Sequence, residues 1–209
     1  MTQKTLINKE LQSFTEARIQ EFDQIPALRK EVLEKVASYV KSKMETNQPI
    51  RLIFICTHNS RRSHISQIWA QVAAYYYGVA QVETFSGGTE ATAFNPNAVK
   101  AMSEAGLEIT VVKEGTNPLY EVKYAGDAPA MTVFSKVYDE AGNPKADFAA
   151  IMTCSHADAN CPFIPAATLR IPVTYEDPKN FDGTPQQDQA YAERSRQIAR
   201  EMFYLFSKV

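Results

Sequence analysis

The sequence has little sulfur with which to staple itself: three cysteines, Cys56, Cys154 and Cys161, in 209 residues. That excludes a disulfide scaffold and makes redox or nucleophilic use the better explanation for them. An excess of one charge is also missing. The 22 Lys and Arg against 24 Asp and Glu leave a net charge of −2, so no basic field exists for a polyanion and no nucleic-acid partner is expected. No apolar run approaches the length of a membrane span, and Met1-Thr2-Gln3-Lys4-Thr5-Leu6 has no long apolar stretch behind its charge. A soluble, cytoplasmic protein with no membrane partner is expected. Internal repeats and low-complexity tracts are absent too. What is present is apolar material, 44% of residues, ample for one large domain or a core domain with an extension.

Residues 1–48 read as an N-terminal helical extension, with Leu6, Ile7, Leu11 and Phe14, then Leu28, Val32, Leu33, Val36 and Val40, at helical spacing. Pro26 is expected to begin the second of two helices, since proline suits a first turn and resists an interior one. This extension would pack on the core or on a partner subunit. From residue 49 onward strands alternate with helices, which argues for βαβ units and a parallel sheet. Residues 50–55 form an apolar strand, followed by a helix bearing Ile65, Ile68, Trp69 and Val72. Residues 81–86 alternate as a strand that Gly87-Gly88 is expected to break. Asn95 and Pro96 read as the N-cap and first position of a helix that ends at Gly106, with a possible strand over 107–112. Within 117–145, residues 119–124 and 131–138 alternate with period two and read as a β-hairpin inserted in the α/β core, either over the active site or along the sheet edge. Residues 147–153 make a buried strand ending at Cys154, residues 168–173 another, and Thr184-Pro185 opens a long final helix to about Ser207.

The chemistry concentrates in Cys56-Thr57-His58-Asn59-Ser60-Arg61-Arg62-Ser63, a C-x5-R-S pattern between a strand and a helix. Backbone N–H groups converging at a helix N-terminus stabilise both a thiolate and a bound oxyanion. A guanidinium six residues after the cysteine matches two oxygens of a tetrahedral anion. The pattern points to nucleophilic attack on a phosphate-like substrate. A cysteine ending a buried strand can equally be packing, and it is the polar loop and following helix that favour the nucleophile. Asp177, on a short loop fixed by Pro178, is placed to protonate a departing oxygen, or else is a turn residue before proline.

The loop, the strand end at Phe85-Ser86-Gly87-Gly88, the Cys154/Cys161 pair followed by Pro162, and Glu176-Asp177-Pro178 together resemble the low-molecular-weight tyrosine phosphatase superfamily. Within it the likeness is greatest to the thioredoxin-coupled arsenate reductases, over roughly residues 50–207. The resemblance implies an α/β fold, a doubly wound four-stranded parallel sheet of the phosphotyrosine phosphatase I type. To it are added the helical extension, 1–48, and the inserted hairpin, 117–145, within a catalytic domain of 49–209. It implies Cys56 as nucleophile, Arg62 as oxyanion clamp, Ser63 as the hydroxyl that bonds the thiolate, Asn59 as the holder of loop shape and Asp177 as general acid. Thr57, His58, Asn59, Ser60, Arg61 and Arg62 would surround the oxyanion.

For an arsenate reductase the resemblance implies a relay. Cys56 attacks arsenate, Cys154 attacks the adduct and releases arsenite, and Cys161 leaves a Cys154–Cys161 disulfide for thioredoxin to reduce. The polar stretch 155–160 suits a segment that loops outward. The alternative, a phosphatase acting on phosphotyrosine or another phosphate monoester, needs only Cys56, Arg62, Ser63 and Asp177. A third reading has Cys154, His156 and Cys161, with or without Cys56, binding zinc or arsenite without turnover, although C-x-H-x4-C is not a familiar zinc spacing. No cofactor or resident metal is expected for either enzyme. His58 replaces a common glycine, Arg61 a common second cysteine, and Gln67 an acidic residue of an ion site in some reductases. Arg61 would deepen thiolate stabilisation or face solvent, and potassium dependence stays open. His58, His64 and His156 are assigned no catalytic role.

Overall fold

The computed structural model describes residues 4–160 and 163–209, so Cys161 lies outside the described residues. In chain order the elements are α1 (Lys9–Ile19), α2 (Ala27–Glu45), β1 (Ile50–Cys56), α3 (Arg62–Tyr76), β2 (Val82–Gly88), α4 (Pro96–Glu104), β3 (Glu108–Lys113), β4 (Leu119–Lys123) and β5 (Met131–Val133), then β6 (Phe148–Met152), α5 (Ser155–Asn160), β7 (Ala167–Pro172) and α6 (Gln187–Ser207). No helix among the described residues is long and apolar enough to cross a membrane.

The central strand is β1, whose residues are apolar at nearly every position because both faces are covered. Leu52 and Phe54 enter the core beneath α2, α3 and α6, while Ile53 and Ile55 enter a smaller cluster with Met152, Cys154 and Ala157 on the opposite face. All four are wholly buried, each worth about 1.5–3 kcal/mol. The strand order is β2-β1-β6-β7 and every pair is parallel. The chain leaves β1 toward β2 on one side and returns to β6 on the other. The order therefore reverses at the carboxyl end of β1, where open α/β sheets place their ligands. Cys56 is the last residue of that strand.

The extension shares the main core rather than standing apart. Leu11, Leu33, Val36 and Val40 are wholly buried in it, and Phe14 stacks on Trp69 of α3 with ring centroids 4.9 Å apart. Asn8 caps α1 by accepting from Leu11 N–H at 2.8 Å, and its Nδ2 donates to Gly106 O at 2.9 Å. Gly106 has φ +101°, and a Cβ there would lie 2.4 Å from Leu11 N. The glycine that ends α4 is thus also the seat of α1. Pro26 occupies the N-cap of α2 and Asn95 caps α4 through Asn97 and Ala98 N–H, with Pro96 in first place.

Four expectations are corrected. Gly87 and Gly88 do not break β2 but belong to it. They are glycines because another backbone passes too close for a side chain: a Cβ on Gly87 would lie 2.3 Å from Tyr138 Cα. The inserted strands do not form a lone two-stranded hairpin. β4 and β5 pair antiparallel, but β3 joins β4 to make a separate three-stranded sheet, and β5 stops at Val133. Beyond it the chain turns along the end of β2, where Gly88 N–H donates to Lys136 O and Tyr138 N–H to Gly88 O, both at 2.9 Å. Residues 155–160 are helical, with Ala157 buried against the β1–β6 face, rather than an outward loop. The final helix starts at Gln187, three residues after Thr184, whose Oγ1 accepts from Gln186 N–H at 3.3 Å.

Candidate active site

Between Cys56 and Arg62 the chain closes a tight loop, four of whose carbonyls are turned to neighbours. Cys56 O accepts from Thr89 N–H at 3.2 Å, Thr57 O from Glu90 N–H at 2.9 Å and Ser60 O from Asn95 N–H at 2.9 Å. His58 O accepts from the hydroxyls of Thr92 at 3.0 Å and Ser135 at 3.2 Å. No described residue accepts from the N–H groups of residues 57–61. These amides, at the start of α3, are thus available as donors to an oxyanion.

Inside the loop, Cys56 Sγ lies 3.1 Å from Ser63 Oγ. Asn59 Nδ2 donates to Ser63 Oγ at 2.8 Å, while Asn59 Oδ1 accepts from Lys136 N–H at 2.8 Å. The backbone donor from Lys136 fixes which way the Asn59 amide faces. Ser63 Oγ, which accepts from Asn59, has its own hydrogen available to donate toward the sulfur, a contact that favours a thiolate once one forms. Asn59 has φ +43°, a left-handed conformation that asparagine tolerates better than most residues. It is wholly buried, in keeping with a part in loop shape.

The two arginines converge on one carboxylate. Arg61 Nε donates to Asp177 Oδ1 at 2.9 Å, and Arg62 donates through NH2 to Asp177 Oδ2 at 2.6 Å and through NH1 to Tyr175 O at 3.0 Å. Arg61 is buried rather than facing solvent, and its guanidinium pairs with Asp177. Arg62 Nε is buried and has no partner among the described residues. Burial works to raise the Asp177 carboxyl, but the charges of Arg62 and Arg61 outweigh it and hold the group below the usual carboxylate range. Asp177 is thus ionised at neutral pH in this arrangement, a poor starting state for a proton donor. Its Oδ1 also accepts from Lys179 N–H at 3.1 Å.

Parallel pairing brings the second thiol to this loop. Ile55 faces Met152 across the sheet, and Thr153 Oγ1 donates to Ile55 O at 2.9 Å. Cys154, wholly buried at the end of β6, then has its Sγ 3.4 Å from Thr57 Oγ1. His156 Nδ1 lies 3.2 Å from the same hydroxyl. His58 points away, its Nε2 3.0 Å from Glu90 Oε1, so it can reach the oxyanion site only through its backbone. Among the described residues no three His, Cys, Asp or Glu side chains converge as a metal site.

Behind the loop sit two buried titratable side chains, His64 and Lys136, that the sequence did not reveal. His64 is wholly buried, 3.1 Å from Ser86 Oγ through Nδ1 and 4.5 Å from the Phe94 ring. Burial, aided by the nearby Lys136 charge, lowers its pKa to about 3. Lys136, over the Phe134 ring at 4.6 Å, is itself lowered to about 8 by burial. For His64 the folded value lies below the unfolded one of about 6.5, so the unfolded chain binds more protons between the two. Stability contributed by neutral His64 is present above that range and lost as pH falls through it. The loss in unfolding free energy from pH 7 to pH 5, measured by urea titration, is expected to be about 2 kcal/mol larger in the wild type than in His64→Gln. Equal losses would show that His64 does not titrate on unfolding.

Lys136 and Ser135, and the turn at Thr89-Glu90, support the loop but went unread in the sequence. The only sequence sign was the Gly87-Gly88 pair, which marks a close backbone approach and not a break.

No protein-family model matches the chain. It is similar to the arsenate reductase of Halalkalibacterium halodurans, 32% identical over 145 residues that make up 69% of this chain and 86% of that protein. The arsenate reductase of Bacillus cereus (strain 03BB102) is 28% identical over 158 residues, 76% of this chain and 94% of the relative. Among solved structures, a YwlE mutant from Bacillus subtilis superposes with TM-score 0.54 at 16% identity, covering 76% of this chain and 97% of its own. The low-molecular-weight protein tyrosine phosphatase from T. tengcongensis gives TM-score 0.51 at 18% identity, covering 77% and 99%. At such identities the structures speak for the fold.

Proposed function

The chain belongs to the arsenate reductases of the low-molecular-weight tyrosine phosphatase superfamily, and from that membership we propose which residues carry its reaction. Arsenate enters the loop, held by the amides of residues 57–61 and by Arg62, which exchanges part of its hold on Asp177 for the oxyanion. Cys56 Sγ, as thiolate, attacks arsenic; a sulfur–arsenic bond forms and one oxygen leaves as water. Cys154 then attacks Cys56 Sγ. A Cys56–Cys154 disulfide forms, the sulfur–arsenic electron pair stays on arsenic, and arsenate departs as arsenite, two thiols having supplied its two electrons. Cys161 attacks Cys154, frees Cys56 and leaves a Cys154–Cys161 disulfide. The dithiol of thioredoxin reduces that disulfide, a cycle suited to a cytoplasmic protein.

The observation that carries this reading is the placement of Cys154, buried, with its sulfur 3.4 Å from the hydroxyl of Thr57, the residue next to the nucleophile. Hydrolysis of a phosphate ester has no use for a thiol there. The phosphatase alternative rests on Asp177 as acid beside Arg62, and on the cavity of about 690 Å³ next to it, lined in part by Pro178, Phe181 and Arg194, where a larger leaving group would fit. The ionised state of Asp177 disfavours it. The zinc- or arsenite-binding alternative needs Cys161, which lies outside the described residues.

Cys154→Ser distinguishes them. In an assay with thioredoxin, thioredoxin reductase and NADPH, the variant is expected to lose multiple-turnover arsenate reduction while keeping arsenate binding at Cys56. Hydrolysis of para-nitrophenyl phosphate that survives this change, in a protein with no arsenate turnover, would instead make the enzyme a phosphatase.

A further inference from the structure

We propose that His156 takes the proton from Cys154, through the hydroxyl of Thr57, and so makes Cys154 a nucleophile. The inference rests on the reading of Cys154 as the resolving thiol. A buried thiol attacks only after its proton has gone somewhere, and Cys154 has no water-facing surface to release it to. Among the described residues its sulfur has two polar neighbours. Ala157 N–H donates to it at 3.3 Å and supports an anion but cannot accept a proton. Thr57 Oγ1, at 3.4 Å, can accept from S–H while donating its own hydrogen to a second group. That second group is His156 Nδ1 at 3.2 Å.

The chain of contacts is thus Cys154 S–H, Thr57 O–H, His156 Nδ1, and it ends on a side chain that is exposed. In the step, the Cys154 proton passes to Thr57 Oγ and the threonine hydrogen to His156 Nδ1, leaving a thiolate and an imidazolium. The thiolate attacks Cys56 Sγ as described, the arsenic leaves with the bonding pair, and the exposed imidazolium returns its proton to solvent before the next turnover. The other charged groups on α5 and the loop are committed elsewhere: Asp158 to Arg170 at 2.7 Å, His58 to Glu90 at 3.0 Å, and Arg61 and Arg62 to Asp177. An imidazole nitrogen can take up a proton and give it back, which suits an acceptor that must reset.

The test isolates Cys154 as the one remaining thiol in Cys56→Ser/Cys161→Ser and follows its alkylation by iodoacetamide from acid to alkaline pH, with and without His156→Asn. Asparagine keeps a hydrogen-bonding group near Thr57 but does not titrate. The expected result is a rate at neutral pH lower by roughly tenfold and a pH profile displaced to the alkaline side. Thr57→Val, which cuts the relay in its middle, is expected to reproduce both changes. Coincident profiles with and without His156 would overturn the proposal. The readout involves no arsenate, so a relay seen here in a protein that fails to reduce arsenate would fault the substrate reading and leave the proton path standing.

Discussion

Cys56→Ser is expected to bring arsenate turnover to the floor of the assay, a loss of at least about 10⁴-fold, with the fold intact. The reason lies in proton chemistry rather than shape. Serine fits the position, since its oxygen is smaller than sulfur, and the Asn59–Ser63 and Lys136–Asn59 hydrogen bonds that shape the loop do not involve the sulfur. A serine hydroxyl stays protonated where a thiol ionises, and the same donors that favour a thiolate cannot make an alkoxide at neutral pH. Both the reductase and the phosphatase chemistry begin with this atom, so both are lost. Steady-state turnover beside far-ultraviolet circular dichroism checks the prediction, and retained turnover in a correctly folded variant would remove the basis of the mechanism.

Gly88→Ala is expected to cost about 3 kcal/mol of stability and most of the activity. An added Cβ would lie 2.2 Å from Glu90 O, 2.6 Å from Thr57 O and 2.7 Å from Asn59 N. All three are backbone atoms, two of them in the oxyanion loop, so no side chain can swing aside. Relief requires the loop to move away from β2, which breaks the bonds that Thr89 and Glu90 make to Cys56 O and Thr57 O. Gly142→Ala is the control, since nothing lies within 4 Å of a Cβ there; it is expected to change stability by less than about 0.5 kcal/mol. Urea denaturation of the two variants gives the comparison, and a cost at Gly88 no larger than at Gly142 would contradict the crowding.

Local signals in the sequence were sound guides. The apolar run into Cys56, the cap at Asn95-Pro96 and the alternation of strands with helices act over a few residues, and each has its element in the structure. What escaped were contacts made across long stretches of chain. Nothing near Arg61 or Arg62 in sequence announces Asp177, more than a hundred residues away, yet that pair sets the electrostatics of the loop. The strand β3 was legible as an apolar run but not its choice of partner, because Glu108–Lys113 pairs with β4 and leaves the parallel sheet untouched. Residues 155–160 carry too few apolar positions for a helical pattern to register, and tertiary packing of Ala157 accounts for the helix.

The hydrogen bond from Lys136 N–H to Asn59 Oδ1 joins residues 77 apart in the chain. In terms of folding order, residues 56–63 are therefore early in synthesis but late in assembly. They leave the ribosome well before the inserted strands, and the loop has no complete set of partners until residues 134–138 arrive along β2. Until then the Cys56 thiol sits in an unfinished cradle, so reactivity toward oxyanions emerges only with the completed molecule. Residues 134–138, joined to the Cys56 sulfur through Asn59 and Ser63, thereby complete the loop on which the chemistry depends.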